Sequence, residues 1–272
     1  AVGAEQSNRW FGVAMAVPAV RAVRAAEAPP AFLAKWGIKG ADKGQFRRPH
    51  DVAVDAAGNG YVADTDDCRL QKFDGKGRFL AAGGGCGAGT GQLKYSNGVA
   101  TDSSGNVYVA DTYNDRILKF SGDGAFLAGW GSVGDADGRL NRPNGIAVDS
   151  SGNVYVSDTY NDRIQKFDGN GTFLAKWGAN GTGDGQFQYP GGVAVDAAGN
   201  VFVADTINKR IQKFDGNGAF LAKWGSNGAA DGQFEYPGGV AVDAAGNVYV
   251  SDTYHDRIQK FTNDGQYIST IG

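Results

Sequence analysis

Short apolar segments alternate with turn-forming residues along most of the chain. In one representative stretch they follow one another as GVAVD from Gly192, NVFVADT from Asn200, RIQKF from Arg210 and AFLAKWG from Ala219. The segments are rich in Val, Ile, Phe and Trp, and the text between them, such as AAGN and DGNG, is typical of tight turns. No segment has the i, i+3, i+4 apolar spacing of a helix. The pattern therefore predicts four short antiparallel strands.

The same pattern returns every 47 residues without an insertion. An arginine begins the third predicted strand of each copy, at Arg69, Arg116, Arg163, Arg210 and Arg257. A fixed period of roughly 40–50 residues with four strands in each unit is typical of the blades of a β-propeller. The sequence therefore predicts an all-β propeller built from four-stranded antiparallel blades.

The repeated text also resembles a known family. Its elements are P-x-G-(V/I)-A-V-D, then G-N-V-(Y/F)-V-(A/S)-D-T, then N-x-R-I-Q-K-F, and over residues 31–272 they are similar to NHL repeats. The resemblance implies a propeller, commonly of six blades, in proteins that serve mostly as binding platforms and include a minority of enzymes. Because one fold hosts many functions, the resemblance does not by itself assign one.

Residues 1–30 decide the predicted number of blades. When the 47-residue spacing is extended backwards, residues 12–16 fall over residues 200–204, and Val23 falls over Ile211. We interpret residues 1–30 as a degenerate first blade, which gives six blades in total. The alternative is five blades, with residues 1–30 as an N-terminal arm that docks on a partner or as the remnant of an export signal. The apolar run of residues 10–17 is too short to span a bilayer.

Charge and cysteine content narrow the classes of partner and compartment. The net charge is −3, with no basic cluster beyond Arg47 and Arg48, which disfavours nucleic acid as a partner. Cys68 and Cys86 fall in two loops that the strand order places on the same face of the ring. They are therefore predicted to form a disulfide, which suits a secreted, periplasmic or cell-surface protein.

The repeated charged residues are interpreted as structural. An aspartate stands five residues before each repeated arginine, at Asp64, Asp111, Asp158, Asp205 and Asp252. A carboxylate and a guanidinium at the same place in every blade are expected to brace the loop between the second and third strands. A functional site is expected to occur once rather than five times.

Candidate site residues are sought where the blades differ, at the start of the innermost strands around the central channel. One position reads His50, Asn97, Asn144, Gly191 and Gly238, and the position two residues earlier reads Arg48, Tyr95, Arg142, Tyr189 and Tyr236. Asp51 adds one carboxylate. The predicted ligand-binding site at the channel mouth consists of Arg48, His50, Asp51, Asn97, Arg142 and Asn144. The alternative is that Asn-Gly and Gly-Gly here are only strand-entry turns.

Metal and enzyme functions have little support in the residue types. The text from Arg142 to Gly145, RPNG, resembles calcium-binding propellers of the lactonase type, but only Asp51, Asn97 and Asn144 are available as oxygen ligands. Calcium is therefore the one metal considered, and no other cofactor is expected. Two histidines in the whole chain exclude a zinc site with three histidines, and there is no G-x-S-x-G motif.

The sequence thus favours a non-enzymatic binding or assembly scaffold that engages a protein partner or a larger assembly. Its contact surface is expected at the channel mouth and at the loops between the second and third strands, where Tyr113, Tyr160 and Tyr254 add aromatic area at small entropic cost. A small-molecule ligand is the alternative partner. The competing function is that of a lactonase-like hydrolase or lyase acting at the channel mouth.

Overall fold

The computed structural model describes residues 33–272, which begin with a short two-stranded parallel ladder between β1 (Ile38–Lys39) and β2 (Gln45–Phe46). Five four-stranded sheets follow. Blade one consists of β3 (Pro49–Val54), β4 (Gly60–Asp64), β5 (Arg69–Phe73) and β6 (Phe79–Gly84). Blade two consists of β7 (Val99–Thr101), β8 (Val107–Asp111), β9 (Arg116–Phe120) and β10 (Phe126–Trp130).

The remaining blades have the same order. Blade three consists of β11 (Pro143–Val148), β12 (Val154–Asp158), β13 (Arg163–Phe167) and β14 (Phe173–Trp177). Blade four consists of β15 (Pro190–Val195), β16 (Val201–Asp205), β17 (Arg210–Phe214) and β18 (Phe220–Trp224), and blade five of β19 (Pro237–Val242), β20 (Val248–Asp252), β21 (Arg257–Phe261) and β22 (Tyr267–Ile271). In blades one, two, three and five a single 3-10 turn links the second and third strands, at Thr65–Asp67, Thr112–Asn114, Thr159–Asn161 and Thr253–His255.

The prediction of four-stranded antiparallel blades is confirmed. Each strand pairs with the next along the chain, as in blade three, where Val154 pairs with Phe167 and Asp158 pairs with Arg163. The described residues form five blades, the alternative given for the blade number, and the degenerate first blade predicted over residues 1–30 lies outside them. Within residues 33–272 no helix is long and apolar enough to cross a membrane.

Apolar cores lie between neighbouring blades rather than at the centre of the ring. The core between blades three and four, for example, joins Tyr155 and Ile164 to Val193, Val203 and Phe214. Because blades two to four are covered on both faces, their second strands are buried at every position and are apolar almost continuously instead of alternating. The linkers contribute one fully buried side chain to each interface, namely Leu93, Leu140, Phe187 and Phe234.

The repeated Asp–Arg pair fastens each linker to the blade that follows it. Arg163 Nε donates to Asp158 Oδ2 at 2.6 Å, and its two terminal nitrogens donate to the backbone carbonyls of Asp135, Ala136 and Arg139 in the linker. Asp158 Oδ1 in turn accepts the backbone N–H of Asn141 at 2.6 Å. The pair therefore braces the inter-blade linker as well as the loop between the second and third strands.

Cys68 and Cys86 form the predicted disulfide, with their Cα atoms 4.9 Å apart. Cys68 follows the 3-10 turn of blade one, and Cys86 lies in the linker to blade two. The matching positions in blade three are Asp162 and Asn180, where the Asn180 amide donates to Asp162 Oδ2 at 2.8 Å. In blade one the disulfide thus joins the two loops whose counterparts in blade three are joined by a hydrogen bond.

Replacing both cysteines by serine should lower the free energy of unfolding by about 3 kcal/mol, because the bond closes a short loop and restricts the unfolded chain. The sequence separation of the two cysteines is 18 residues. Urea unfolding of the oxidised protein and of the Cys68→Ser, Cys86→Ser variant measures the difference. Asn180→Ala, which removes the equivalent hydrogen bond in blade three, should cost only about 1 kcal/mol. Equal effects of the two changes would contradict this prediction.

Candidate functional site

A polar cavity of about 500 Å³ lies where the inner strands of the five blades converge. Its wall includes His50 and Asp51 of blade one, Asn97 of blade two and Asn144 of blade three. The opposite wall carries small and hydroxyl-bearing residues, namely Gly191, Thr206, Gly238, Ser251 and Thr253, together with Tyr189 and Tyr236. The cavity is therefore lined by neutral hydrogen-bonding groups together with the apolar side chains of Ile146, Val193 and Val240.

The structure brings four of the six predicted ligand-binding residues into this cavity and leaves two outside it. His50, Asp51, Asn97 and Asn144 line the wall, whereas Arg48 and Arg142 are absent from the lining. Arg48 instead forms an exposed ion pair with Asp66 at 3.3 Å. The Arg142 guanidinium lies 3.7 Å from the centre of the Tyr113 ring.

Asp51 links the inner strands of blades one and two. Its Oδ1 accepts the backbone N–H of Val52 at 2.8 Å, and its Oδ2 accepts that of Val99 in blade two at 2.9 Å. Burial raises the pKa of the carboxyl to about 6, and the two N–H groups partly offset this effect. The other blades carry glycine here, and at Gly98 a Cβ atom would lie only 2.3 Å from the carbonyl oxygen of Asn144. Blade one alone therefore places a carboxylate at this position.

His50 is neutral under conditions where a solvated histidine would begin to charge. Enclosure in the cavity lowers its pKa, and the positive charge of Arg48 lowers it further. The imidazole therefore offers one donor and one acceptor nitrogen to the cavity. With Asp51 beside it, His50 supplies the titratable chemistry of this wall.

The predicted calcium ligands do not form a suitable donor set. Calcium prefers six to eight oxygen ligands with several carboxylates. Asp51, Asn97 and Asn144 supply one carboxylate, and both of its oxygens already accept backbone N–H groups. Across residues 33–272 no group of three or more His, Cys, Asp or Glu side chains is placed to hold a metal ion. The residues present therefore do not fit Ca²⁺.

Paired tyrosine rings and two guanidinium groups surround the cavity, and we call this set the aromatic belt. It consists of Arg48, Tyr95, Tyr113, Arg142, Tyr160, Tyr189, Tyr236 and Tyr254. The ring centroids of Tyr95 and Tyr113 are 4.7 Å apart, and those of Tyr236 and Tyr254 are 4.8 Å apart. The Tyr160 and Tyr189 rings, which belong to neighbouring blades, are 5.4 Å apart.

Two features of the backbone build the belt. Its strand-entry residues Arg48, Tyr95, Arg142 and Tyr189 all have φ near +50° (51°, 48°, 53° and 59°), a conformation that side chains other than glycine adopt at some cost. In blades three and four the turn of the preceding blade holds this conformation, because the N–H groups of Arg142 and Tyr189 donate to Asp115 and Asp162 at 2.8 and 2.7 Å. The belt is therefore positioned by contacts between blades.

Two tyrosines of the belt, Tyr189 and Tyr236, have raised pKa values. Burial and the hydrogen bond with Tyr160 raise the pKa of Tyr189, and burial followed by the proximity of Tyr254 raises that of Tyr236. The guanidinium groups of Arg48 and Arg142 give the belt two permanent positive charges. One of these charges is unusual, because the enclosed Nη1 of Arg142 has no hydrogen-bond partner among the described residues.

The sequence predicts where the individual tyrosines of this belt lie, but it does not predict that they form one surface. It places Tyr95, Tyr189 and Tyr236 at the mouth, yet the predicted site omits them, and the turn tyrosines are predicted as a separate contact surface. The sequence does contain a signal for the ring pairs within a blade, since Tyr95 and Tyr113 stand 18 residues apart, as do Tyr236 and Tyr254. The pairing of Tyr160 with Tyr189 crosses from one blade to the next, and no spacing within a repeat marks it.

The fold and the central cavity define the class of protein, a β-propeller with a polar channel. Residues 34–184 match the family described as SMP-30/Gluconolactonase/LRE-like region, and residues 187–214 and 234–261 match the NHL repeat. Since the first match covers more than half of the chain, the protein belongs to the SMP-30/gluconolactonase/LRE-like family, with NHL repeats in blades four and five. The predicted resemblance to NHL propellers is thereby confirmed. Among curated proteins, none matches the chain.

Several solved structures share the fold at low sequence identity. A streptogramin B lyase superposes with a TM-score of 0.64 at 16% identity, over 88% of this chain and 72% of that one. A chain of a nidogen/laminin complex gives a TM-score of 0.63 at 19% identity, over 81% and 78%. A gluconolactonase from Xanthomonas campestris gives 0.58 at 17% identity, over 80% and 74%. At these identities the likeness concerns the fold alone.

Proposed function

We propose that the protein is an exported, non-enzymatic binding module that engages a protein partner through the aromatic belt at the channel mouth. The belt itself is the observation that carries this proposal. Tyr and Arg are among the residue types most enriched at the energetic centres of protein interfaces, and tyrosine adds contact area with little loss of side-chain entropy. A mouth of tyrosine rings with two guanidinium groups therefore has the composition of a recognition surface.

The exposure of the belt supports contact with another molecule. Tyr113, Tyr160 and Tyr254 are about half exposed or more, although each ring packs against a neighbouring ring. Rings that are already held in place lose little freedom on binding, which favours affinity. The structural neighbour in a nidogen/laminin complex offers a parallel, since that propeller was crystallised with a protein partner. Export is consistent with the disulfide between Cys68 and Cys86.

A peptide library displayed on phage tests this proposal, because selection from a library does not require an identified partner. Peptides selected on the full chain should bind Tyr160→Ala and Tyr254→Ala at least about tenfold more weakly, the loss expected for a central interface tyrosine. Leu174→Ala serves as the control, because Leu174 is 48% exposed on the outer strand of blade three, away from the belt. Selected peptides that lose affinity with Leu174→Ala but not with the belt variants would refute the proposal.

A second candidate function is a hydrolase or lyase at the same mouth, and one observation favours it. His50 and Asp51 line the same cavity, the former with a lowered pKa and the latter with a pKa raised to about 6. Groups tuned in this way are suited to acid–base chemistry near neutral pH. Gluconolactone and a streptogramin B are the substrates to assay, given the names of two structural neighbours. Turnover that is lost in His50→Ala would establish the enzyme and displace the binding module.

A further inference from the structure

Arg142 is the arginine of residues 33–272 whose guanidinium has no polar partner. No hydrogen bond or ion pair joins its side chain to any described residue, and its enclosed Nη1 is unsatisfied. Every other arginine in this part of the chain has an acceptor, namely Asp67 for Arg47, Asp66 for Arg48, Asp74 for Arg78, the Val133 carbonyl for Arg139 and the repeated aspartates for the repeated arginines. A guanidinium carries several N–H donors and a permanent charge. Arg142 therefore keeps its capacity to bind an anion.

Contacts with blade two hold this guanidinium in place without using its N–H groups. Its central carbon lies 3.7 Å from the centre of the Tyr113 ring, and the Arg142 backbone N–H donates to Asp115 Oδ1 at 2.8 Å. Stacking uses the flat face of a guanidinium, whereas its N–H groups point outwards in the plane. Of its nitrogens only Nη1 is enclosed, so the edge formed by Nε and Nη2 can form two parallel hydrogen bonds with a carboxylate.

The charge of the residues beside the belt changes around the mouth from blade one to blade five. The position just before each strand-entry residue reads Arg47, Lys94, Asn141, Gln188 and Glu235. In blade one Arg47 already pairs with Asp67, at 3.6 Å. Lys94 is exposed, its side chain has no partner among the described residues, and its carbonyl oxygen accepts the backbone N–H of Tyr113 at 3.1 Å. Unpaired positive charge is therefore concentrated on residues that contact Tyr113.

The other side of the mouth favours apolar contacts. The belt residues of blades four and five are all tyrosines, namely Tyr189, Tyr236 and Tyr254. Ile207, at the turn of blade four, stands where the other turns carry tyrosine and is 48% exposed. Glu235, whose side chain is half exposed, adds a negative charge there. An acidic residue of a partner would therefore be repelled on this side and attracted towards Tyr113, whereas apolar side chains would match the rings.

We propose that the partner presents an acidic peptide segment, in which the side-chain carboxylate of an aspartate or glutamate binds the Arg142 guanidinium and neighbouring apolar side chains lie on the tyrosines of blades four and five. This proposal rests on the function proposed above, because it specifies the partner of the same belt. A polyanion such as a sulfated polysaccharide would instead require cations along the whole mouth. Glu235 and the net charge of −3 oppose such a partner.

Synthetic peptides in matched pairs test this proposal. Peptides selected from a phage library on the full chain are made with amidated C-termini, so that side chains supply the only carboxylates. Changing the acidic residue of such a peptide from glutamate to glutamine, or from aspartate to asparagine, should weaken binding to the natural protein at least about tenfold. In Arg142→Gln the same change should weaken binding less than about threefold, because the pair is already lost when either member is neutral.

Two further variants serve as controls. Arg47→Gln removes an exposed charge that pairs with Asp67 at 3.6 Å, so the full effect of the peptide change should persist there. Arg142→Lys keeps the charge without the planar fork and should recover only part of the effect. Arg142→Gln removes from the native chain only the stacking on Tyr113, so its melting temperature should fall by no more than about 2–4 °C.

The outcomes separate the acidic partner from the function on which it rests. If Tyr254→Ala weakens the peptides, but their acidic residue matters equally in the natural protein and in Arg142→Gln, the belt binds peptides and the acidic partner is overturned. Selected peptides without an acidic residue would overturn it as well, and that result needs no variant of Arg142. Dextran sulfate that binds the natural protein at least about tenfold more tightly than Arg142→Gln, with no such difference for the peptides, would identify a sulfated polymer instead. Peptides unaffected by Tyr160→Ala and Tyr254→Ala would refute both proposals.

Discussion

Replacing Phe214 by alanine should lower the free energy of unfolding by about 3–5 kcal/mol, the range found for truncating a fully buried aromatic side chain. Phe214 is completely buried, and its ring lies 5.8 Å from Trp177, 5.6 Å from Phe187 and 6.0 Å from Phe220. These rings come from blade three, from the linker and from blade four itself. The cavity left by the substitution would therefore open the interface between two blades.

Chemical denaturation of the full chain measures this loss. Leu221→Ala is the matched control, because Leu221 lies on the neighbouring strand β18 and is 49% exposed. It should change stability by no more than roughly 0.5–1 kcal/mol. If the two variants unfold at the same denaturant concentration, the interfaces between blades are not the main source of stability.

Replacing Arg163 by alanine should be as destabilising, at about 3–5 kcal/mol, because it leaves a buried charge without its partner. The Arg163 side chain is 8% exposed and that of Asp158 is 0% exposed. The substitution would remove the ion pair at 2.6 Å and the hydrogen bonds to the carbonyls of Asp135, Ala136 and Arg139. The linker between blades two and three would then lose its main attachment to blade three.

An exposed ion pair in the same chain provides the comparison. Arg78 lies 2.7 Å from Asp74, but its side chain is 78% exposed, so Arg78→Ala should cost at most about 1 kcal/mol. Arg163→Lys is informative as well, because lysine keeps the charge but lacks the planar fork that reaches several acceptors, and it should recover only part of the loss. A structural role for Arg163 also requires that peptide binding at the aromatic belt survive the substitution under native conditions.

Much of the blade could be predicted from the sequence because blade formation is local. Within a blade each strand pairs with the next one along the chain through a short turn, as Val201 pairs with Phe214 in blade four. One 47-residue repeat therefore contains all the strands that pair with one another. The disulfide follows from the same strand order, which places Cys68 and Cys86 in loops on one face. The Asp–Arg pair is predicted to be structural because it occurs in every blade, but its attachment to the linker becomes visible only in the folded chain.

The candidate site depends on how neighbouring blades pack against each other. Only the tertiary structure decides that packing. The angle between neighbouring blades determines that Asn97 and Asn144 face one cavity, while Arg142 turns away and stacks on Tyr113 of the preceding blade. It also brings Asp51 within reach of the Val99 N–H, which makes that carboxylate a bridge between strands rather than a free metal ligand. Such contacts join residues from different repeats, and no local pattern encodes the angle that brings them together. The sequence by itself therefore determined the blade and its period, and the packing of one blade on the next decided which side chains meet at the channel mouth.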